Sequence, residues 1–462
     1  MYNSKKLYLV LLIGFLLSVS VSLFTINKFD NYSNYYGSKQ HKIIKADPEK
    51  FYSKANAIKN KIDYDLEYRE PFLPARTIAY FYKLIQEDLY DEFQKKDEIS
   101  VNPYDIVKNK NGKLLYLFLQ SILFYLSLVY FLKKLSSIFD AEIVLLAGIC
   151  LAFEPTILFY HSTFWSESIF MSLLLIIFGF IINIKDNFFS YLLLGLLIGI
   201  LYLQRSVSIY LFIIIGIYLS LITKKKIFSC TVFILGYLII ILLLGFSNYK
   251  RSDVFYVTST QAKDGFWMYL IPNIISKKDK IDTHIAEKVL NEKLSKWKTE
   301  NNINDDDLKL EKNRLIMYNY QQREAFKIIL NNISVSTEVI LKKTFHFLVF
   351  DPLGHTYYFH KYDYKTPLSV GYYRSEDHQR LIIPRIIYSL IIYTICLIGF
   401  ISCLKLQDKK YIYLLIACIL YFTIVQSWIG NNRYATPNLI FLSVFFSFGI
   451  NKFIKLSKNY LK

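Results

Sequence analysis

The chain has 462 residues, of which 53% are hydrophobic and 20% charged, and 39 Tyr, 37 Phe and 4 Trp make it strongly aromatic. A mean hydropathy of +0.28 over that length requires several apolar runs close to the roughly 20 residues of a membrane span. These figures exclude a soluble globular enzyme, a disordered chain and a single-span anchored domain. The net charge of +18 raises nucleic acid as a partner, but in a membrane chain it first asks which side carries the lysines. The cysteines (Cys150, Cys230, Cys396, Cys403, Cys418) all fall in apolar runs. Neither a disulfide framework nor a structural zinc site is expected from their spacing.

In chain order, the first apolar run, Leu7 to Ile26, follows Lys5-Lys6 and is too long for a signal-peptide core, so it is expected to stay as a helix. Further runs cover about 114–132, 141–160, 165–184, 190–204, 207–222, 227–246, 385–404, 411–427 and 437–454. An N-terminus inside the cell places fifteen lysines in the inner loops and tail, against Asp140, Asp186 and Asp408. That is the positive-inside pattern, and it assigns most of the basic excess to topology instead of nucleic acid. The expected architecture is therefore an all-α polytopic membrane protein of about ten transmembrane helices, with both termini cytoplasmic. Residues 1–246 form an N-terminal transmembrane module containing a first outer loop at 27–113, residues 247–384 a large extracytoplasmic loop, and residues 385–462 the C-terminal helices.

The first outer loop carries apolar residues at helical spacing, Phe51, Tyr52, Ala55 and Ile58, then Ile78, Phe81, Leu84 and Ile85, as amphipathic helices on a membrane face would. The large loop reads as a charged helical stretch from Asp282 to Leu330, followed by an aromatic segment from Phe345 to Tyr373.

Nucleotide-binding and hydrolase motifs are absent: there is no GxxxxGK[ST], GxGxxG, HExxH or GxSxG. What remains is a set of polar residues at the outer edge of the apolar runs, where charge is costly. Asp47, before Pro48, suits a helix N-cap as well as a catalytic base. Arg69-Glu70-Pro71 leads into Pro74, which punctuation of a helix also explains. Glu167 in Trp165-Ser166-Glu167-Ser168, Arg205 beside Gln204, and Arg433-Tyr434 in Asn432-Arg433-Tyr434-Ala435-Thr436-Pro437 complete the set. Arginine is scarce in this chain, and its planar fork matches phosphate oxygens better than lysine does. Two carboxylates and two arginines at headgroup depth suit a transferase with a lipid-linked phosphate donor.

This arrangement resembles the GT-C superfamily of integral-membrane glycosyltransferases, in particular the branch of protein O-mannosyltransferases and the lipid A aminoarabinose transferase (the family 39/83 type). Four patterns carry the resemblance: Asp47 with Phe51-Tyr52 and Ala55, Arg69-Glu70-Pro71 with Pro74, Ser166-Glu167-Ser168, and Arg433-Tyr434 with Pro437. Asp30 is the rival to Asp47. The resemblance implies inverting transfer from a polyprenyl-phosphate sugar to a hydroxyl on a glycan, lipid or protein. Asp47 would then act as base and Glu167 would orient the acceptor or an ion. Arg205, Arg433, Tyr434 and Arg69 would hold the donor phosphate, with Tyr52 and Glu70 positioning the acceptor. It also implies residence in a bacterial inner membrane as part of cell-envelope glycosylation. A divalent cation is compatible with this scheme, though the sequence does not decide on a metal. His346, Asp351, His355 and His360 are a looser candidate for metal ligation or acceptor contact. The competing readings are a polysaccharide polymerase or ligase of O-antigen type, which would use loop arginines such as Arg251, Arg314 and Arg323, and a lipid-linked sugar transporter or an envelope scaffold.

Overall fold

The computed structural model describes residues 4–33, 51, 54–55, 58–59, 72–86, 110–258, 261–349, 376–406, 409–430 and 432–460. All ten apolar runs fall on helical segments, the form in which a chain in lipid satisfies its own backbone polar groups. These are α1 (Ser4–Ser33), α3 (Lys110–Leu135), α4 (Ala141–Phe153) with α5 (Pro155–His161), α6 (Glu167–Ile182), α7 (Phe188–Gln204), α8 (Leu211–Ile222) after a 3₁₀ turn at Ser206–Tyr210, α9 (Lys226–Ser252), α15 (Glu376–Cys403), α16 (Lys410–Gln426) and α17 (Asn438–Tyr460). Between α1 and α3 lies α2 (Leu73–Leu84). Among the described residues six helices are long and apolar enough to cross a membrane, and the α4–α5 pair makes a seventh if it is one span. The apolar α6, α7 and the stretch Ser206–Ile222 are shorter. Among the described residues there is no strand.

The run predicted at 141–160 is not one straight helix. It bends by 52° at Glu154, because Pro155 has no N–H to continue the hydrogen-bond ladder and opens α5 instead. The bend carries His161 to α1 and α3, where its Nδ1 lies 3.0 Å from the Ser18 hydroxyl, itself 3.0 Å from that of Ser121. Two helix pairs approach backbone to backbone at glycines. A Cβ on Gly195 of α7 would fall 2.0 Å from the Phe233 carbonyl of α9, and one on Gly399 of α15 would fall 1.8 Å from the Phe445 carbonyl of α17.

Following the helices in turn places Glu167, Arg205 and Arg433 at one end of the bundle. Lys133, Lys134, Lys185, Lys224, Lys225 and Lys226 fall at the other. On the Glu167 end sits a helical unit of α10 (Gln261–Tyr269), α11 (Ile271–Asp279), α12 (Thr283–Glu300), α13 (Glu311–Asn331) and α14 (Ile333–Leu348). The charged stretch expected from Asp282 to Leu330 is two helices, not one. Asp282 caps α12 by accepting from the His284 N–H, and Asn302, at φ +53°, helps reverse the chain before α13. Lys293 and Glu324 pair at 2.8 Å across α12 and α13, and Trp297 stacks on Tyr320. The core of the unit (Trp267, Leu270, Ile271, Ile274, Leu290, Ala325, Val339) is closed by Trp428 from the end of α16. Beside it, Lys343 of α14 donates to the Ile429 carbonyl at 3.3 Å, and burial pulls its ammonium down to about 8.

In the first loop, Phe51, Ala55 and Ile78 are buried with Ala79, Tyr82, Tyr116 and Leu117, and Ile58, Phe81 and Ile85 pack against them, as the apolar spacing predicts. Leu84 instead faces outward at 81% exposure. The aromatic segment after Val349, up to Tyr373, lies outside the described residues.

Two measurements test this packing. Gly399→Ala forces a methyl group into the Phe445 carbonyl, so the thermal midpoint should fall by the equivalent of about 1–3 kcal/mol. Gly216→Ala, whose Cβ would meet nothing nearer than 3.9 Å, should leave it unchanged. Folded Lys343 holds its proton less tightly than the 10.5 of an ordinary lysine, so the unfolded chain binds more protons above about pH 8. Thermal stability should therefore rise with pH across that window, and Lys343→Met should remove the rise.

Candidate active site

Three breaks in the helical bundle converge on one carboxylate. Glu167 is the first residue of α6, where the helix dipole favours negative charge. Arg205 ends α7 in extended conformation (φ −149°, ψ 123°) before the 3₁₀ turn. Arg433 lies in a second 3₁₀ turn, Asn432–Ala435, between α16 and α17. The three side chains are nearly sealed from solvent, at 1%, 5% and 8% exposure. Glu167 Oε1 accepts a hydrogen bond from Arg433 Nε and lies 3.1 Å from Arg205 Nη1. The Ser166 hydroxyl donates to Oε2 at 3.4 Å, and Gln204 donates to the Ser166 carbonyl at 3.2 Å, tying the end of α7 to the start of α6.

Aromatic rings wall the two cations. The Arg433 guanidinium stacks over Trp165, its central carbon 3.4 Å from the ring centroid. Tyr434 stands between the arginines, 5.4 Å from Arg205 and 5.5 Å from Arg433, and Phe170 lies 5.5 Å from Arg205. Among the described residues one carboxylate faces two guanidinium groups in a site of low dielectric, where charge interactions are strong. Arg205 Nη1 is buried and lies close to Glu167, yet it has no hydrogen-bond partner among the described residues.

Of the residues singled out in the sequence, Glu167, Arg205, Arg433 and Tyr434 come together. Asp47, Tyr52, Arg69 and Glu70 lie outside the described residues, as do Asp351, His355 and His360. Asp30 is on the last turns of α1. His346 lies on α14, where burial, then Lys342 and Lys343, lower its pKa. Sequence reasoning missed Trp165 as the platform for Arg433. Its signal was rarity, one of four tryptophans two residues before the outer-edge carboxylate.

No protein-family model matches the sequence, and no curated protein matches it either. Solved structures do match. The archaeal oligosaccharyltransferase AglB from Archaeoglobus fulgidus, in complex with an inhibitory peptide and a dolichol-phosphate, aligns over 100% of this chain and 52% of its own, with a TM-score of 0.53 and 11% identity. The same enzyme tethered to an acceptor peptide containing the NVT sequon gives 0.53 and 11% over 99% of this chain and 51% of its own. Its complex with zinc and sulfate gives 0.51 and 13% over 97% and 49%. The fold is of the GT-C type. The chain spans about half the length of the structures it matches, and at this identity the likeness is one of fold. With its apolar helices it defines an integral, multi-pass membrane protein.

Within this GT-C fold, the described residues do not offer a metal site. No group of three or more His, Cys, Asp and Glu lies close enough to hold an ion. Glu167 is already matched by two cations, which disfavour a dication beside it.

The triad makes a sharp stability prediction. Glu167→Ala strands two buried guanidinium groups and should cost about 3–5 kcal/mol, seen as a lower thermal midpoint in detergent. The triple variant Glu167→Leu, Arg205→Met, Arg433→Met, which removes every charge, should recover most of that loss.

Proposed function

We propose that the protein is a glycosyltransferase that moves a sugar, with inversion, from a polyprenyl-phosphate donor to an acceptor hydroxyl at the membrane surface. The observation that carries this reading is the buried Glu167–Arg205–Arg433 cluster, two guanidinium groups on one carboxylate among the described residues, at the ends of the apolar helices. In the reaction the bond from the anomeric carbon to the donor phosphate oxygen breaks as the acceptor oxygen attacks the opposite face. The acceptor proton passes to a carboxylate, and the lipid phosphate leaves with one more negative charge than it carried as a diester. Arg205 and Arg433 stabilise that growing charge, most strongly in a site closed to water. Glu167 acts by fixing both guanidinium groups, so that they need not reorganise when the charge appears. Trp165 and Tyr434 hold the same groups from their faces.

Asp47 is assigned as the base on its resemblance to the GT-C first-loop aspartate. Phe51 and Ala55, four and eight residues further on in sequence, bury with Ile78, Tyr82 and Tyr116. Phe164 and Ile169, on either side of Glu167, pack against the same cluster, and Phe164 stacks on Tyr116. This supports a base near the arginines. Arg69, Tyr52 and Glu70 keep their assignments as a third phosphate contact and acceptor contacts on the same resemblance. The AglB structures carry a dolichol-phosphate in one case and an acceptor peptide in another, which fits a lipid-linked donor and a glycan, lipid or protein acceptor here. The lysine pattern supports cytoplasmic termini and a site on the extracytoplasmic face of a bacterial inner membrane. The polymerase reading loses a candidate, because Arg251 is committed: it pairs with Glu311 at 2.5 Å and donates to Tyr256 at 2.6 Å, joining α9 to α13.

The test is transfer by the purified, reconstituted chain from a panel of polyprenyl-phosphate sugars into a membrane extract. Asp47→Asn should lower turnover by roughly 10²–10⁴ while the protein still folds. Arg205→Lys, which keeps charge but loses the fork, should lower it by roughly ten-fold or more. Donor that stays intact with the wild-type protein across the panel would overturn the reading. Full activity in Asp47→Asn would move the base to Asp30.

A further inference from the structure

Helix α14 belongs by sequence to the polar segment between α9 and α15, yet its two ends meet the bundle at different depths. Lys343 reaches the carbonyl of Ile429, the last residue of the apolar stretch Lys410–Ile429. Five residues on, the Leu348 carbonyl accepts a hydrogen bond of 2.9 Å from Tyr393. Tyr393 is midway along the apolar stretch Ile383–Cys403, roughly 15 Å from its Ile383 end at 1.5 Å per residue. The C-terminal end of α14 is therefore tied by this hydrogen bond to the middle of a span, while Lys343, five residues earlier, reaches the end of another. A helix end in water leaves its last carbonyls to solvent. Here a tyrosine supplies the hydroxyl, as burial out of water requires.

The exposed face of the helix changes character along the same line. Beyond Ile333 at its start, which is 63% exposed, its first half presents Ser334, Thr337 and Glu338, with Glu338 paired to Lys277. Its second half presents Leu341 and Phe345, one turn apart and 64% and 52% exposed, flanked by Lys342 and His346. On the opposite side Val339 and Phe347 are buried. The span α15, whose Tyr393 holds the end of α14, exposes Ile383, Ile387, Leu390 and Ile391 in the same way. The low pKa of Lys343 agrees with a poorly hydrated position at this level.

We propose that the C-terminal half of α14, Leu341 to Leu348, is a membrane-embedded element whose partner is the lipid leaflet at the Glu167 end of the bundle. Leu341 and Phe345 contact acyl chains, while Lys342 lies at the headgroups, where its cation meets anionic lipid. The helix enters the leaflet obliquely, with Thr337 and Glu338 in water and Leu348 at depth. This inference stands on contacts with spanning helices and is independent of what the site transfers.

The experiment uses the wild-type, full-length protein in vesicles of phosphatidylcholine and phosphatidylglycerol doped with a phospholipid that carries a photoactivatable diazirine in its acyl chain. After irradiation, adducts are mapped by mass spectrometry. Leu341 and Phe345 should be labelled at a level comparable to Ile387 and Leu390 of α15, and residues 334–338 should not. Labelling of α15 with none at Leu341 and Phe345 would overturn the proposal, and that face would then be covered by protein or open to water. A nitroxide at Leu341→Cys or Phe345→Cys gives a second readout. More frequent collision with oxygen than with a water-soluble nickel chelate is expected there, and the reverse ratio would overturn the proposal on its own.

Discussion

A carboxylate cannot be carried into the end of an apolar bundle without its counter-charges, and the rest of this structure follows from how that requirement is met at Glu167. The desolvation cost of one buried carboxylate and two buried guanidinium groups is large, and mutual attraction at best offsets it. Such a cluster is a poor way to gain stability, which makes its retention informative about chemistry. Its members come from positions 167, 205 and 433, so it forms only if three separate helix ends arrive at the same depth. The glycine contacts between α7 and α9 and between α15 and α17 help fix that depth, because backbones in van der Waals contact leave little freedom to slide. The breaks themselves are part of the device. A carboxylate at a helix start and arginines in an extended cap and a 3₁₀ turn sit where the backbone turns, so long side chains reach inward without entering the middle of a span.

Much of the fold was legible because membrane helices are written in composition and length, and the ten apolar runs needed no knowledge of contacts. Glu167, Arg205 and Arg433 were each legible for the same reason, as charges where charge is costly. Their pairing was not, because Arg433 is 266 residues from Glu167 and nothing local records which ends of a bundle meet. The bend at Glu154 was readable in principle from Pro155, but an apolar run around it reads as unbroken to any count of hydropathy. The division of Asp282–Leu330 falls at the polar stretch Asn301 to Asp307, between two apolar faces that carry Leu290 and Ala325 into one core. Leu84 faces solvent because α2 ends there, and spacing does not tell where a helix stops supporting a core.

Two charge clusters in the chain have the same ingredients and opposite character. At Arg251, Glu311 and Tyr256, cation and carboxylate are matched, a tyrosine hydroxyl bridges them, and Asn248 fixes the Tyr256 backbone at 2.7 Å. That set joins the end of a long apolar helix to the helical unit beyond it, and its polarity is used internally. At Glu167 two guanidinium groups from separate helix ends meet one carboxylate among the described residues, and Trp165 and Tyr434 cover the cations from their faces. The first cluster braces a long helix against the unit beyond it, and the second gathers three helix ends around one carboxylate.

The choice of cation carries the same message. The chain contains ten arginines against forty-five lysines, yet the buried cations among the described residues are Arg205, Arg314, Arg385 and Arg433, with Lys113 the one lysine. A guanidinium is weakly hydrated, keeps its proton when buried, and offers a planar array of donors that one partner does not exhaust. An ammonium holds its proton less tightly as it is desolvated, the direction seen at half-buried Lys343. A sequence that otherwise spends its positive charge on lysine places arginine where charge must persist out of water. Two of the four face one glutamate at the end of the bundle, where a phosphate carried on a lipid would arrive.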